Sequence, residues 1–176
     1  MKVSFAMSPY SLIIGNLCSL LAMGTDTLSS AQKTTNRVLW LQNLSQAIYC
    51  IGAFLLGGYS GCVQNVVSII RNLAAIKQVS KKWIEWTLTT LGVVLGLACN
   101  TIGWAGLLPV IANLQYSVVM FRFKGNERAL KRSFLVSALM FTVFSGAILN
   151  IVGVFSNFFV AVATAVFLVK SRSTGS

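Results

Sequence analysis

The feature that most constrains the fold is one long apolar stretch, residues 61–77 (GCVQNVVSIIRNLAAIK), which carries a single polar stripe. On an α-helix with about 100° per residue, its polar and small side chains fall within a sector of roughly 120°. The residues of this sector are Gly61, Gln64, Asn65, Ser68, Arg71, Asn72 and Ala75. Unpaired amides and a guanidinium are costly in hydrocarbon, so this face must contact protein or water. The stretch predicts a transmembrane helix whose polar face lines a pore or a bundle interior.

Composition extends this interpretation to the whole chain. Of the 176 residues, 56% are hydrophobic and 10% are charged, whereas charged residues make up about a quarter of an ordinary soluble domain. The net charge of +11 does not indicate nucleic-acid binding, because the basic residues lie in short clusters between apolar stretches. The sequence predicts an all-α polytopic membrane protein, one membrane domain over residues 1–176, whose first partner is the lipid bilayer.

The apolar stretches predict seven transmembrane helices, at residues 7–23, 38–56, 61–77, 83–100, 105–123, 133–149 and 151–169. The polar segment 24–36 (GTDTLSSAQKTTN) is predicted as a loop. A cleaved signal peptide is the alternative for the first stretch. It is disfavoured because Lys2 is the only charge before that stretch, and Pro9 and Asn16 interrupt its apolar character.

The helices are predicted to form a duplicated unit. Gly61 and Asn65 match Gly153 and Asn157 at an offset of 92 residues. ANLQYSVVM at residues 112–120 resembles GNLCSLLAM at residues 15–23 at an offset of 97. A longer loop in the first unit accounts for the difference, since duplicated units tolerate loop insertions. We therefore expect two parallel three-helix units, residues 7–78 and 105–170, with a linker helix at residues 83–100 between them.

Basic residues predict the orientation of this 3+1+3 arrangement. Of the 14 Lys and Arg residues, all except Lys2 fall at one end of the predicted helices. Basic residues concentrate in cytoplasmic loops, so the N-terminus is predicted outside and the C-terminus in the cytoplasm. The oligomeric state is left open.

Catalytic, metal-binding and cofactor chemistry is not expected. The chain has no histidine, and its three acidic residues, Asp26, Glu85 and Glu127, are predicted in loops or at helix ends. Metal sites, catalytic triads and paired carboxylates need ligands that this set does not supply. Without a carboxylate inside the membrane, coupling to protons or sodium is not expected. The cysteines are predicted to be small hydrophobic residues, buried or facing lipid: Cys18, Cys50, Cys62 and Cys99.

Six polar residues are the candidates for solute binding: Asn65, Asn157, Gln64, Arg71, Asn16 and Asn113. Asn65 and Asn157 are expected to face each other and to offer donors and acceptors to an uncharged polar solute, such as a sugar or a nucleoside-like molecule. The alternative is that these amides hold helices together. Arg71 either binds an anionic group in the interior or extends its guanidinium to the cytoplasmic headgroups.

The two prolines of the chain, Pro9 and Pro109, fall in the first predicted helix of each unit. A proline inside a helix frees a backbone carbonyl and kinks the helix. Both are therefore predicted as hinges for alternating access, with a static kink as the alternative.

Three segments resemble the YgjV-like family of bacterial inner-membrane proteins: LLPVI at residues 107–111, FRFKG at residues 121–125 and SIIRNLAAIK at residues 68–77. The resemblance implies a multi-pass protein of the bacterial cytoplasmic membrane and carries no established activity.

The 3+1+3 architecture is also similar to that of the SWEET sugar facilitators and the PQ-loop group. In those families an asparagine on the third helix of each unit lies at the substrate site, which would be the role of Asn65 and Asn157. Neither unit has the Pro-Gln dipeptide, which argues against sugar specificity more than against the fold.

Two functions follow from these patterns. The first is an uncoupled facilitator that passes a small polar solute between the two units. The alternative is a non-transporting membrane component that binds anionic lipid or a partner protein through its basic cytoplasmic loops.

Overall fold

The computed structural model describes residues 8–30, 35–77, 82–123 and 127–173, and the regular structure in these ranges is helical. It comprises α1 (Pro9–Ser30), α2 (Thr35–Leu55), α3 (Tyr59–Ile76), α4 (Lys82–Ala98), α5 (Leu108–Arg122), α6 (Glu127–Ala147) and α7 (Ile151–Ser173), with a short 3-10 helix at Gly103–Leu107. The predicted all-helical class with seven helices is confirmed for these ranges. Four of the basic residues used for the orientation lie outside them: Lys2, Lys33, Lys81 and Lys124.

The first helix is longer than predicted, because α1 continues through the first half of the expected loop 24–36 to Ser30. A glycine such as Gly24 inside a helix costs only about 1 kcal/mol relative to alanine. Thr25 and Thr27 donate their hydroxyl hydrogens to carbonyl oxygens one turn earlier, at 2.7 and 2.9 Å, which lets them remain in a helix. Asp26 therefore lies within a helix, and its predicted loop position is wrong. Residues 31–34 of the expected loop lie outside the described ranges.

Other helix ends also differ from the expected bounds. α6 begins at Glu127, six residues before its predicted start, and α7 continues to Ser173. Arg, Lys, Leu and Ala are good helix formers, so the basic segment before Ser133 extends the helix rather than ending it. The predicted fifth helix is divided, because the 3-10 helix Gly103–Leu107 precedes α5.

Neither proline lies inside a helix. Pro9 is the first residue of α1, and Pro109 is the second residue of α5. Prolines in a first turn remove no helical hydrogen bond, because the N–H groups there have no intrahelical partner. The predicted kinks at Pro9 and Pro109 are therefore wrong, whereas their role as hinges stays a prediction.

Six of the helices form a closed ring in the order α1, α2, α3, α5, α6, α7, with α7 packing back on α1. α4 packs in the groove between α3 and α5. Among the described residues, the backbones of helices on opposite sides of the ring do not approach closely, so α1 and α5, α2 and α6, and α3 and α7 face one another across a common interior.

The α2–α3 and α6–α7 connections have the same backbone geometry at positions 92 residues apart. Gly57 and Leu149 both adopt positive φ, 70° and 57°. The following N–H groups, of Gly58 and Asn150, donate to carbonyl oxygens five residues earlier at 2.7 and 2.8 Å. Gly57 and Leu149 themselves donate three residues back, at 3.1 and 3.2 Å. Each connection is therefore a Schellman motif, in which one left-handed residue ends a helix and satisfies its last carbonyls.

The end of the ring that contains these two turns is filled by apolar side chains. Leu56, Phe144 and Ile148 form its centre and are 0%, 4% and 1% exposed. Four partly buried side chains pack against them: Leu12, Ile102, Leu108 and Phe141. We call these seven residues the apolar cap. All except Ile102 come from the two predicted units, so the cap joins the units at this end of the ring.

Cys50 and Cys62 form a disulfide that links α2 to α3, with Cα atoms 4.3 Å apart. They lie on either side of the Gly57 turn, on two antiparallel helices, and the predicted role as separate hydrophobic residues is wrong for both. Cys18 and Cys99 are free and half-buried.

One helix in the described part of the chain is long and apolar enough by composition to cross a membrane, α1 over Pro9–Ser29 near the N-terminus. Two shorter apolar helices cover Trp83–Ala98 and Ile151–Val166.

Candidate functional site

The interior of the ring beyond the apolar cap is polar. The buried polar side chains come from helices of both predicted units and include Ser19, Ser45, Gln64, Ser68, Ser117, Ser133, Ser137 and Ser145. Large apolar residues face outward instead: Ile51 on α2 is 55% exposed and Phe159 on α7 is 67% exposed. This is the reverse of the usual distribution in a soluble protein. The ring therefore has polar groups inside and an apolar outer surface.

Gln64 and Asn113 are brought together, where they join three helices. Gln64 donates to the carbonyl oxygen of Gly92 on α4 at 2.8 Å and accepts a hydrogen bond from Asn113 on α5 at 2.8 Å. A Cβ atom at Gly96 would lie 2.6 Å from the Gln64 amide nitrogen, so glycine permits this close approach of α4. These contacts hold helices together, as amides in membrane proteins often do.

Asn16 also joins helices. Its amide nitrogen donates to the Leu149 carbonyl at 3.1 Å, and its oxygen accepts from the Val152 N–H at 3.2 Å. Nearby, the Asn150 side chain donates to the Ser19 hydroxyl at 2.8 Å. The amide of Asn16 thus holds α1 against the α6–α7 turn, and its hydrogen-bonding capacity is largely used there.

Asn65 and Asn157 lie on α3 and α7, which face each other across the ring without packing together. The Asn157 side chain donates to the Gly153 carbonyl at 2.8 Å and reaches the Ser145 hydroxyl at 3.5 Å. The half-buried side chain of Asn65 has no hydrogen-bond partner among the residues with described side chains. Shared binding of one solute by the two amides stays a prediction.

Arg71 stacks on an aromatic ring. Its guanidinium carbon lies 5.9 Å from the centroid of the Tyr116 ring on α5, within the range of a cation–π interaction. Tyr116 is three residues beyond Asn113, which contacts Gln64, so its backbone lies at about the depth of Val67. The Arg71 side chain therefore points back toward the cap from its own Cα, as helical side chains do. This direction is opposite to the one that an extension to cytoplasmic headgroups requires.

A second polar cluster, which the sequence analysis missed, joins α1, α2 and α7. The Ser45 hydroxyl of α2 hydrogen-bonds to the Asp26 carboxylate of α1. Tyr49, one turn along α2, lies within electrostatic range of Asp26 and close to Ser156 of α7. The spacing of Gly15, Ser19, Ala22 and Asp26 carried the missing signal, since these residues share one face if α1 continues beyond Met23.

Asn43 on α2 is buried, and neither its amide nitrogen nor its amide oxygen has a hydrogen-bond partner among the described residues. Buried amides nearly always have hydrogen-bond partners, so a buried amide without them marks a site where donors and acceptors are left unsatisfied. No sequence pattern distinguished Asn43 from its neighbours. Within the described ranges, no group of three His, Cys, Asp or Glu side chains is placed to hold a metal ion.

Comparison with known proteins identifies the family. A family model described as bacterial inner membrane protein, Imp-YgjV, matches residues 13–174. No curated protein and no solved structure matches the chain significantly. The match covers nearly all of the 176 residues and includes the three segments whose resemblance pointed to this family, so that prediction and the inner-membrane location are confirmed. The chain belongs to the YgjV family of bacterial inner-membrane proteins.

Proposed function

We propose that this inner-membrane protein crosses the bilayer seven times and passes a small polar solute through the interior of the six-helix ring. The two three-helix units run parallel, with the N-terminus outside and the apolar cap on the periplasmic side. Solute exchange then requires the cap to separate, since Leu56, Phe144 and Ile148 fill the ring at that end.

The outward-facing residues support repeated crossing. A helix of about 20 residues spans the hydrocarbon core, and α2, α6 and α7 contain 21, 21 and 23 residues. Their polar residues lower the average hydropathy of each helix. Many of these side chains face the interior, where polar groups are tolerated within a membrane. A helix in a polar-lined bundle can therefore have a low average hydropathy and still present apolar side chains to the lipid.

Two observations support the duplicated unit. The Schellman motifs at Gly57 and Leu149 stand at the offset of 92 residues that relates Asn65 to Asn157. The contacts between the units also come as a symmetric pair. The third helix of each unit packs on the first helix of the other: α3 on α5, and α7 on α1. Contacts of this kind are expected when a twofold axis along the membrane normal relates parallel units.

The observation that carries the proposal is the presence of unpaired amides in a polar interior closed by an apolar cap. Asn65 and Asn43 have no described hydrogen-bond partners, although most other interior amides join helices. A solute with donors and acceptors would satisfy groups of this kind. For the buried amide of Asn43, the lack of a partner costs about 1–3 kcal/mol.

The second function, binding of anionic lipid or a partner protein, is favoured by a different observation. Exposed basic side chains cluster at the end of the ring opposite the apolar cap: Arg37, Lys77, Arg122 and Arg132. A cytoplasmic surface of this charge attracts anionic headgroups at about 1 kcal/mol per basic residue.

Uptake into proteoliposomes distinguishes the two functions. The purified protein is tested with radiolabelled glycerol, D-glucose, uridine and L-leucine, beside liposomes without protein. Transport predicts uptake of at least one solute, reduced by Asn65→Ala and by Asn157→Ala. Asn36→Ala is the control, because Asn36 is an exposed asparagine near the start of α2. Background uptake of every solute, together with binding to anionic vesicles that Arg122→Glu and Arg132→Glu abolish, would favour the second function.

A further inference from the structure

Two opposite charges lie at contacts between helices of the ring. Asp26 contacts α2 through Ser45, and Arg71 contacts α5 through Tyr116. The chain has only three acidic residues, and the other two lie in the first turns of α4 and α6. Charged side chains inside a membrane bundle are costly and usually serve a function, so each of these two needs a physical explanation.

The two charged groups lie at about the same depth. Cys50 and Cys62 are level, because their disulfide joins α2 and α3. Five residues further from the cap, Ser45 on α2 and Val67 on α3 are therefore level with each other, about 7.5 Å deeper. Ser45 contacts Asp26, which places the carboxylate at that depth.

Contacts between α3 and α5 place the guanidinium of Arg71 at the same depth. Gln64 and Asn113 contact each other, so the residues three positions later, Val67 and Tyr116, are also level. Arg71 projects back over the Tyr116 ring. The carboxylate and the guanidinium thus lie at about one level along the ring, one between α1 and α2 and the other between α3 and α5.

Neither charge is neutralised by the other. Among the residues whose side chains are described, Asp26 and Arg71 form no ion pair, either together or with another residue. Asp26 has a hydroxyl partner and Arg71 an aromatic one. A charge left unpaired in a low-dielectric interior is strongly unfavourable. A ligand that brings a positive group to Asp26 and a negative group to Arg71 would remove both penalties.

The neighbouring groups fit the ends of such a ligand. An ammonium group has three donors, and the Asp26 carboxylate accepts them, with the Tyr49 hydroxyl nearby. A carboxylate matches the fork of donors on a guanidinium, which binds it through two parallel hydrogen bonds. Asn65 and Ser68 lie on the same helical face as Arg71 and add polar groups at the side of α3.

We propose that the solute is a small zwitterion, an amino acid whose ammonium group binds Asp26 and whose carboxylate binds Arg71. This inference rests on the proposed transport function and names its substrate class. Such a molecule has no net charge, so it neutralises both side chains without adding charge to the interior. An anion alone would leave Asp26 unpaired, and a cation alone would leave Arg71 unpaired.

Ligand-dependent thermal stabilisation of the purified protein in detergent tests the chemistry directly. The zwitterions are L-leucine, 4-aminobutyrate and 6-aminohexanoate, which differ in the spacing of their charges. The matched single-charge compounds are 4-methylpentanoate, which lacks the ammonium of leucine, and isoamylamine, which lacks its carboxylate. D-Glucose and uridine represent uncharged solutes. We expect at least one zwitterion to raise the midpoint, and to bind on the order of tenfold more tightly than either single-charge compound.

Four variants assign the two ends of the ligand. Asp26→Asn should abolish the preference for leucine over 4-methylpentanoate, because no charge remains to bind the ammonium. Arg71→Gln should abolish the preference for leucine over isoamylamine, while Arg71→Lys retains the charge and part of the affinity. Glu85→Gln alters an acidic residue in the first turn of α4 and should leave both preferences unchanged.

Separate outcomes overturn the inference and the proposed function. Stabilisation and uptake of glucose or uridine, with no response to any zwitterion, would refute the amino-acid inference and leave transport intact. Stabilisation by phosphatidylglycerol that Arg71→Gln removes, without any response to the zwitterions, would assign Arg71 to a lipid headgroup and also refute it. No uptake of any solute would refute transport itself.

Discussion

Gly57 and Leu149 adopt the same left-handed backbone conformation at the ends of α2 and α6, although one is a glycine and the other a leucine. The hydrogen bonds around them match one for one, so the two turns have equivalent geometry despite different side chains. A leucine at positive φ is disfavoured by about 1–2 kcal/mol, because its Cβ atom approaches the following carbonyl oxygen. The second turn therefore carries a backbone cost that the first avoids.

Replacing Leu149 with glycine is expected to remove this cost. Leu149→Gly should raise the thermal midpoint of the purified protein relative to Leu149→Ala, since both lose the exposed leucine side chain and only glycine accepts positive φ freely. Gly57→Ala should lower the midpoint for the same reason. Equal midpoints for the two Leu149 variants would contradict the assigned backbone conformation.

Gly61→Ala is expected to disturb the apolar cap. A Cβ atom at Gly61 would lie 2.6 Å from two ring atoms of Phe144, so the ring would have to move within a buried site. We expect a loss of about 1–3 kcal/mol, typical of overpacking. Thermal unfolding followed by fluorescence-detected gel filtration measures this loss as a lower midpoint.

Two controls test the physical reason for that loss. Adding Phe144→Leu to Gly61→Ala should recover part of the stability, because the smaller side chain leaves room for the methyl group. Gly24→Ala should be neutral or stabilising, since a Cβ atom there has no neighbour within 4 Å and alanine is the better helix former. Equal losses for Gly61→Ala and Gly24→Ala would show that steric conflict is not the cause.

Reduction of the Cys50–Cys62 disulfide is expected to lower stability. The bond closes a short loop with a sequence separation of 12, for which chain-entropy models give up to about 3 kcal/mol. Dithiothreitol should lower the thermal midpoint of the native protein and have no effect on Cys50→Ser/Cys62→Ser. Cys18→Ser/Cys99→Ser, which alters the free cysteines, should remain sensitive to the reductant. A native midpoint that does not respond would contradict a stabilising role for the bond.

Orientation can be tested at the two ends of α5. Trp104, just before α5, and Arg122, its last residue, are both exposed. In a background with Cys18 and Cys99 changed to serine, Trp104→Cys should react in intact spheroplasts with a membrane-impermeant maleimide. Arg122→Cys should react only after the membrane is permeabilised. The reverse pattern would invert the orientation, and equal reaction of both in intact spheroplasts would show that α5 does not cross the membrane.

Short sequence patterns were enough to predict the helical class and the membrane location, because both depend mainly on the residues within each helix. Long apolar stretches with few charges have few stable forms other than helices in a bilayer. The polar stripe from Gln64 to Arg71 marked the face of α3 that contacts α4 and α5. Segments such as SIIRNLAAIK placed the chain in its family, and the family model confirmed this.

The positions of individual groups were harder to predict because they depend on contacts between distant parts of the chain. Gly24 suggested the end of a helix, yet α1 continues, and packing against α2 brings Asp26 to Ser45. Nothing local indicated that Cys50 would meet Cys62, or that the prolines would fall in first turns.

The amino-acid sequence alone therefore determined that this protein is a helical resident of the inner membrane, because hydrophobicity and helix periodicity act over one or two turns. Tertiary structure decided which amides are used up in joining helices, such as Gln64 and Asn113, and which remain free, such as Asn65. It also decided that Asp26 and Arg71 lie at about one level along the ring. Those outcomes depend on helix register and on side-chain direction across the ring, which are set only when the helices pack together.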